Sequence, residues 1–145
     1  MAECSLNKSD VNGGGGAKKC VPCESLDTSA LLTREQVERH VEESLPLWKV
    51  EEKHDSILYL SRKFTCKNFQ SALDCINGFG TIAEREGHHP DFHLTNYRDV
   101  EICMWTHSVS GITKNDLDMC IMLDKEVDVV YSPKWLKQNP QAKRN

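Results

Sequence analysis

The stretch Glu84-Arg-Glu-Gly-His88-His89-Pro90-Asp-Phe-His93-Leu-Thr-Asn-Tyr97 contains the change of periodicity on which the fold turns. Upstream of it, Phe69, Ala72, Leu73, Ile76, Phe79 and Ala83 recur at three- and four-residue steps behind Asn68, a good N-cap. A helix is therefore predicted over residues 69–86. Gly87 suits the left-handed position just past its end, and close packing is one reason for Gly78 and Gly80 inside it. Downstream, residues 91–97 are strand-like. After a turn at Arg98-Asp99, Val100, Ile102, Met104 and Thr106 alternate with Glu101, Cys103, Trp105 and His107, the pattern of a half-buried strand reaching His107. Helix thus hands over to hairpin at His88-His89-Pro90.

The same order is written further upstream. Thr33-Arg-Glu-Gln36 is a capping-box pattern followed by Val37, Val41 and Leu45, which predicts an amphipathic helix over residues 34–45 ended by Pro46. Trp48 to Glu51 and Ser56 to Cys66 read as two strands around a polar turn, with Leu58, Leu60, Arg62 and Phe64 on one face. Thr113-Lys-Asn-Asp116 opens a third helix with Leu117, Cys120, Ile121 and Asp124 at helical spacing. The expected class is α+β in two layers: a four-stranded antiparallel sheet with three helices on one face, in the order α-β-β-α-β-β-α. Residues 31–130 are assigned to this domain. Residues 1–30, with Gly13 to Gly16 and many small polar residues, read as a flexible tail. Residues 131–145 read as a basic extension, with Trp135 and Leu136 able to dock on the domain or a partner.

Composition narrows the function classes. The 145 residues carry a formal charge of -4, which offers no broad footprint for a phosphate backbone, so direct nucleic-acid binding is not expected. No apolar run approaches the ~20 residues of a membrane span, and the first ten residues have no apolar signal core. The seven cysteines are odd in number and mostly sit in apolar or periodic segments, so they read as reduced thiols in a cytoplasmic protein. Cys20-Val-Pro-Cys23 has the spacing of half a zinc site or of a redox pair. Without a second pair, or a strand and helix around it, two solvent-facing thiols are the simpler reading.

Four of the six histidines lie between Glu84 and Asp116, and three readings compete for them. A metal site is weakened by geometry: across a strand, His89 and His93 would lie about 13 Å apart, although His107 and Glu84 could still contribute ligands. Histidines that merely cap a helix end and a strand end are the second reading. The third is acid–base chemistry, because imidazole exchanges protons near neutrality. Glu84 lies one turn before His88 and Asp116 opens the next helix, so either carboxylate could orient an imidazole. No serine or cysteine nucleophile in a recognisable elbow and no phosphate-cradling loop accompanies them.

The pattern Glu84-x3-His88-His89-Pro90-x6-Tyr97-x9-His107-x8-Asp116 closely resembles the signature of the pterin-4a-carbinolamine dehydratases, and the element order over residues 33–128 is similar to that family's. The resemblance implies dehydration of a 4a-hydroxytetrahydropterin to quinonoid dihydropterin, without metal or other cofactor. It also implies a homo-oligomer, dimer or tetramer, in a family that includes dimerisation cofactors of a homeodomain transcription factor. A non-catalytic interaction protein of the same fold is the alternative. His88, His89 and His107 match the family's active-site histidines, with His88 and His107 as the acid–base candidates and His89 orienting the pterin. Glu84 and Asp116 match the flanking carboxylates, and Pro90 and Trp48 are counted with them as substrate-orienting positions. Read from its place at a strand start alone, Trp48 is a core aromatic before it is a pocket wall. Animal members carry Glu-Cys directly after the distal histidine, where this chain has Ser108-Val109, and Ser110 replaces a glycine common in longer-spaced relatives.

Overall fold

Each helix begins where a side chain satisfies its first free amides. In the computed structural model, which describes residues 26–144, Thr33 Oγ1 accepts from the Gln36 amide and the Gln36 side chain accepts from the Thr33 amide, starting α1 (Arg34–Ser44). Asn68 Oδ1 accepts from the Ser71 amide at the head of α2 (Phe69–Glu86). Asp116 Oδ2 accepts from the Thr113 amide, 2.8 Å away, at the head of α3 (Lys114–Glu126). Between them run β1 (Lys49–Glu52), β2 (Leu58–Thr65), β3 (Asp91–Thr95) and β4 (Asp99–Met104).

The strands form one antiparallel sheet in the order β1-β2-β4-β3. Leu60, Phe64, Val100, Ile102 and Met104 are buried on one face against Val37 of α1, Ala72 and Phe79 of α2, and Met119 and Leu123 of α3. Burying each large apolar side chain contributes about 1.5–3 kcal/mol, so this single face carries most of the driving force. The two-layer α+β arrangement and the order α-β-β-α-β-β-α are as expected, with one addition. A fourth helix, α4 (Pro133–Gln138), lies in the C-terminal segment, with Ser132 as its cap.

Local differences have local causes. The second hairpin turns at Asn96-Tyr97, both with positive φ (48° and 56°), rather than at Arg98-Asp99. β4 stops at Met104 instead of reaching His107, because Thr106 pairs with Gly111 across a tight loop. Ile121, though at helical spacing with the core, is 43% exposed. A Cβ on Gly78 would meet Val127, whereas one on Gly80 would meet nothing, so close approach accounts for the first glycine alone. Residues Thr28–Ala30 form a short 3-10 turn capped by Asp27. The Cys20–Cys23 pair lies outside the described residues; Cys66, Cys75, Cys103 and Cys120 are free and buried.

β1 covers only the first half of β2. The C-terminal segment pairs with the chain at the far end of β2: Tyr131 bridges Cys66, the Lys67 amide donates to Val130 O, and the Ser132 amide donates to Thr65 O. Tyr131 then stacks on Trp135 with ring centroids 4.8 Å apart, so the docking expected for Trp135 is made on the chain itself.

Arg62 ties these parts together. It points into the apolar face, 2% exposed, where Nη1 donates to Asp124 Oδ1 at 2.7 Å and Nη2 to the Tyr131 hydroxyl at 2.6 Å. Trp48 Nε1 donates to the same Asp124 carboxylate. Burial pushes the Asp124 carboxyl above the usual range, against the pull of Arg62 and Trp48. Removing one partner of a buried pair strands the other charge, at a cost of about 3–5 kcal/mol. Asp124→Ala should therefore lower the unfolding free energy by about that amount in urea titrations, and Tyr131→Phe by only about 1 kcal/mol. Equal, small losses in both variants would show that Arg62 is not held as described.

Candidate active site

The C-terminus of α2 aims the first histidine inward. Gly87 takes φ 64°, its amide returning to Ala83 and Glu84 carbonyls, and the His88 amide also donates to Ala83 O. A residue with a Cβ is strained in that conformation, so the glycine sets where His88 points. His88 is 3% exposed and its Nε2 lies 2.6 Å from Asp116 Oδ1.

Asp116 is fully buried and saturated with donors. Besides His88, its carboxylate accepts from Thr106 Oγ1 at 2.7 Å and from the Thr113 amide, while Thr106 and Thr113 join hydroxyl to hydroxyl at 2.9 Å. With Asp116 as acceptor, Nε2 of His88 carries a proton, which fixes both tautomer and ring orientation.

His89 faces the other way along the rim. Its Nε2 pairs with Glu84 Oε2 at 2.8 Å, the imidazole partly and the carboxylate largely exposed. Its Nδ1 is buried with no hydrogen-bond partner among the described residues. Pro90, half-buried, leads directly into β3.

His107 lies not at a strand end but in a 3-10 turn, His107–Val109, that is enclosed by the Thr106–Gly111 bridge and ends at Ser110 in the left-handed region (φ 53°). Its ring stacks on Trp105, centroids 4.0 Å apart and planes 21° from parallel. The loop is held from outside: the Leu32 amide donates to Ile112 O, and Leu31 packs on Gly111 so closely that a Cβ there would lie 2.7 Å from its Cδ2. Partial burial lowers the His107 pKa below the ordinary imidazole value. Asp91 opposes that shift, Lys53 and His88 add to it, and Asp116 opposes it.

The structure therefore brings His88 to Asp116 and His89 to Glu84, with His107 close enough to His88 and Asp116 to feel their charges. Trp48 is elsewhere. It is 2% exposed in the core, bonded to Asp124, about 12 Å along α3 from Asp116. His93 is exposed on β3, opposite Glu101, and Tyr97 is 55% exposed in the hairpin turn. Among the described residues, no group of three His, Cys, Asp or Glu is arranged to hold a metal ion. Thr106, Thr113, Trp105 and Lys53 join the site without having been singled out. Thr106 had the inward phase of the alternating run, and Thr113 looked like a helix cap only.

Comparison with known proteins gives a consistent picture. Residues 30–126 match the family model described as pterin 4 alpha carbinolamine dehydratase. A putative pterin-4-alpha-carbinolamine dehydratase of Chlorobaculum tepidum is 43% identical over 110 residues, covering 76% of this chain and 95% of that protein. The mitochondrial pterin-4-alpha-carbinolamine dehydratase 2 of Arabidopsis thaliana is 36% identical over 108 residues, 74% of this chain; the match spans only 56% of the plant protein's length. A solved structure titled transcriptional coactivator/pterin dehydratase, from Brucella melitensis, superimposes with a TM-score of 0.57 over 68% of this chain and 99% of that one; at 22% identity the likeness concerns the fold.

Thr106→Val removes one donor from a buried carboxylate, a loss of about 1.5–3 kcal/mol. Urea unfolding should show that destabilisation. A neutral Thr106→Val would remove that hydroxyl from the support of Asp116.

Proposed function

The chain belongs to the pterin 4 alpha carbinolamine dehydratase family, and from that premise we propose that it is a 4a-hydroxytetrahydropterin dehydratase, a hydro-lyase forming quinonoid dihydropterin and water. The observation that carries this reading is the pairing of His88 with a buried, donor-saturated Asp116 beside a His107 that favours its neutral form.

The elimination needs one proton delivered and one removed. As electrons from N5 form the new double bond to C4a, the C4a hydroxyl leaves as water after taking a proton, and the ring gives up the N5 proton. His107, open to solvent and disposed to stay neutral, accepts the ring proton. His88, held at Nε2 by Asp116, acts as the acid in its doubly protonated form, giving the leaving oxygen the proton that is not committed to Asp116. His89, oriented by Glu84, binds the pterin with Pro90 behind it. The proton lost to one imidazole equals the proton given by the other, so the pair resets by exchange with solvent. Each such transfer is typically worth 10²–10⁴-fold, adequate for an elimination that already proceeds unaided.

By its family the protein works as a homo-oligomer, a dimer or tetramer, in tetrahydropterin recycling. We place it in the cytoplasm; among the described residues no helix is long and apolar enough to cross a membrane.

Assays with synthetic 4a-hydroxytetrahydropterin should show turnover well above buffer. His88→Ala and His107→Ala should each lower kcat by about 10²–10⁴-fold, while His89→Ala should act mainly on KM. Full activity in His107→Ala would remove that residue from the mechanism, and turnover no faster than buffer would remove the enzyme reading itself.

A further inference from the structure

The polar turn between β1 and β2 brings a lysine to the site from a part of the chain that no histidine motif touches. Lys53 is fixed by its own backbone: its amide donates to Ile57 O at 2.8 Å and its carbonyl accepts from Ser56, which takes the left-handed conformation (φ 64°). From that turn its ammonium lies 4.1 Å from the centroid of the Trp105 ring and 5.7 Å from that of Tyr59. Trp105 is the ring on which His107 stacks, so a cation from the first hairpin and an imidazole from the second contact the same indole. The indole Nε1 is buried with no hydrogen-bond partner among the described residues. Contacts with its ring, rather than a hydrogen bond from its nitrogen, are therefore what the structure shows locating it.

We propose that Lys53 is a positioning residue for the dehydration: through Trp105 it fixes the plane of the His107 ring, and its charge disfavours a second cation there, so that His107 meets the substrate as a proton acceptor. This rests on the assignment of His107 as the base. A cation held over an aromatic face is attracted by the ring's quadrupole, and the same cation repels a proton on the imidazole stacked upon it.

The charged and titratable groups acting on His107 come from four segments: Lys53 in the first hairpin turn, His88 after α2, Asp91 at the start of β3 and Asp116 at the head of α3. Two favour its charged form and two oppose it, so deleting one cation tips the balance toward protonation. The folded pKa of His107 lies below its unfolded value, so below about pH 6.5 the unfolded chain holds the extra proton first. His107 therefore makes stability fall as pH falls from its unfolded pKa toward its folded one, and a weaker shift narrows that window.

The test compares the parent with Lys53→Met, which keeps the stem and removes the charge, and with Lys53→Arg, which restores a cation. The His107 titration is followed by the ring Cε1–H resonance, and the acid limb of the kcat/KM profile is measured on the same samples. Lys53→Met should raise the His107 midpoint and move the acid limb to higher pH, with about threefold lower activity near pH 6 and little change near pH 8. Lys53→Arg should restore both. An unchanged His107 midpoint in Lys53→Met overturns the proposal, even in an active dehydratase. So does a shift of equal size in Lys53→Arg, because charge would then not be its cause. If the parent shows no turnover, the resonance titration still decides the role of Lys53, separately from the reaction assigned to the site.

Discussion

A guanidinium on the apolar face of a sheet constrains everything around it. Arg62 occupies a phase of β2 where Leu60 and Phe64 are its inward neighbours, and a buried cation must find acceptors there or remain outside. Asp124 supplies one from the far end of α3 and Tyr131 supplies another from the C-terminal segment. The guanidinium also lies 5.0 Å from the Phe64 ring and 5.7 Å from the Phe79 ring. A buried ion pair adds little net stability over an apolar pair of similar volume. Here the guanidinium joins the sheet, the third helix and the C-terminal segment, and Trp48 shares its Asp124 partner.

The inward face of α3 is consequently unusual. Asp116, Cys120 and Asp124 recur every fourth residue, one acid at each end and between them a fully buried thiol whose pKa burial and both carboxylates drive upward. One acid serves the architecture and the other serves the histidines. The same helix that closes the core therefore also carries the anion that orients His88, so the position of the site is set by the packing of the sheet.

Caps and periodicities made most of this legible in the sequence. Thr33, Asn68 and Gly87 act locally, and each does in the structure what its chemistry predicts. That Glu84 and Asp116 could each orient an imidazole was readable from helical spacing and from the motif, but which histidine each takes was not, since Glu84 pairs with His89 rather than with His88 one turn away. Three features escaped for different physical reasons. The end of β4 depends on Thr106 pairing its backbone with Gly111 across a tight loop, which an alternating pattern does not encode. Trp48 had two plausible uses, and the choice between them depended on Asp124, far away in sequence. Lys53 sits in a turn of ordinary polar composition, and nothing local reveals that Trp105 will lie beneath it.

Leu31 and Leu32 reach across the molecule to hold Gly111 and Ile112, and that bond between distant stretches of chain has a kinetic meaning. The hairpins close over short loops, while this contact closes a long one, whose entropy is lost only once the intervening chain is organised. The turn bearing His107 is thus held by a contact whose formation carries the entropic cost of closing a long loop. Because Thr106 and Thr113, which flank the same loop, also hold Asp116, the front of the domain is linked through one loop to both histidines.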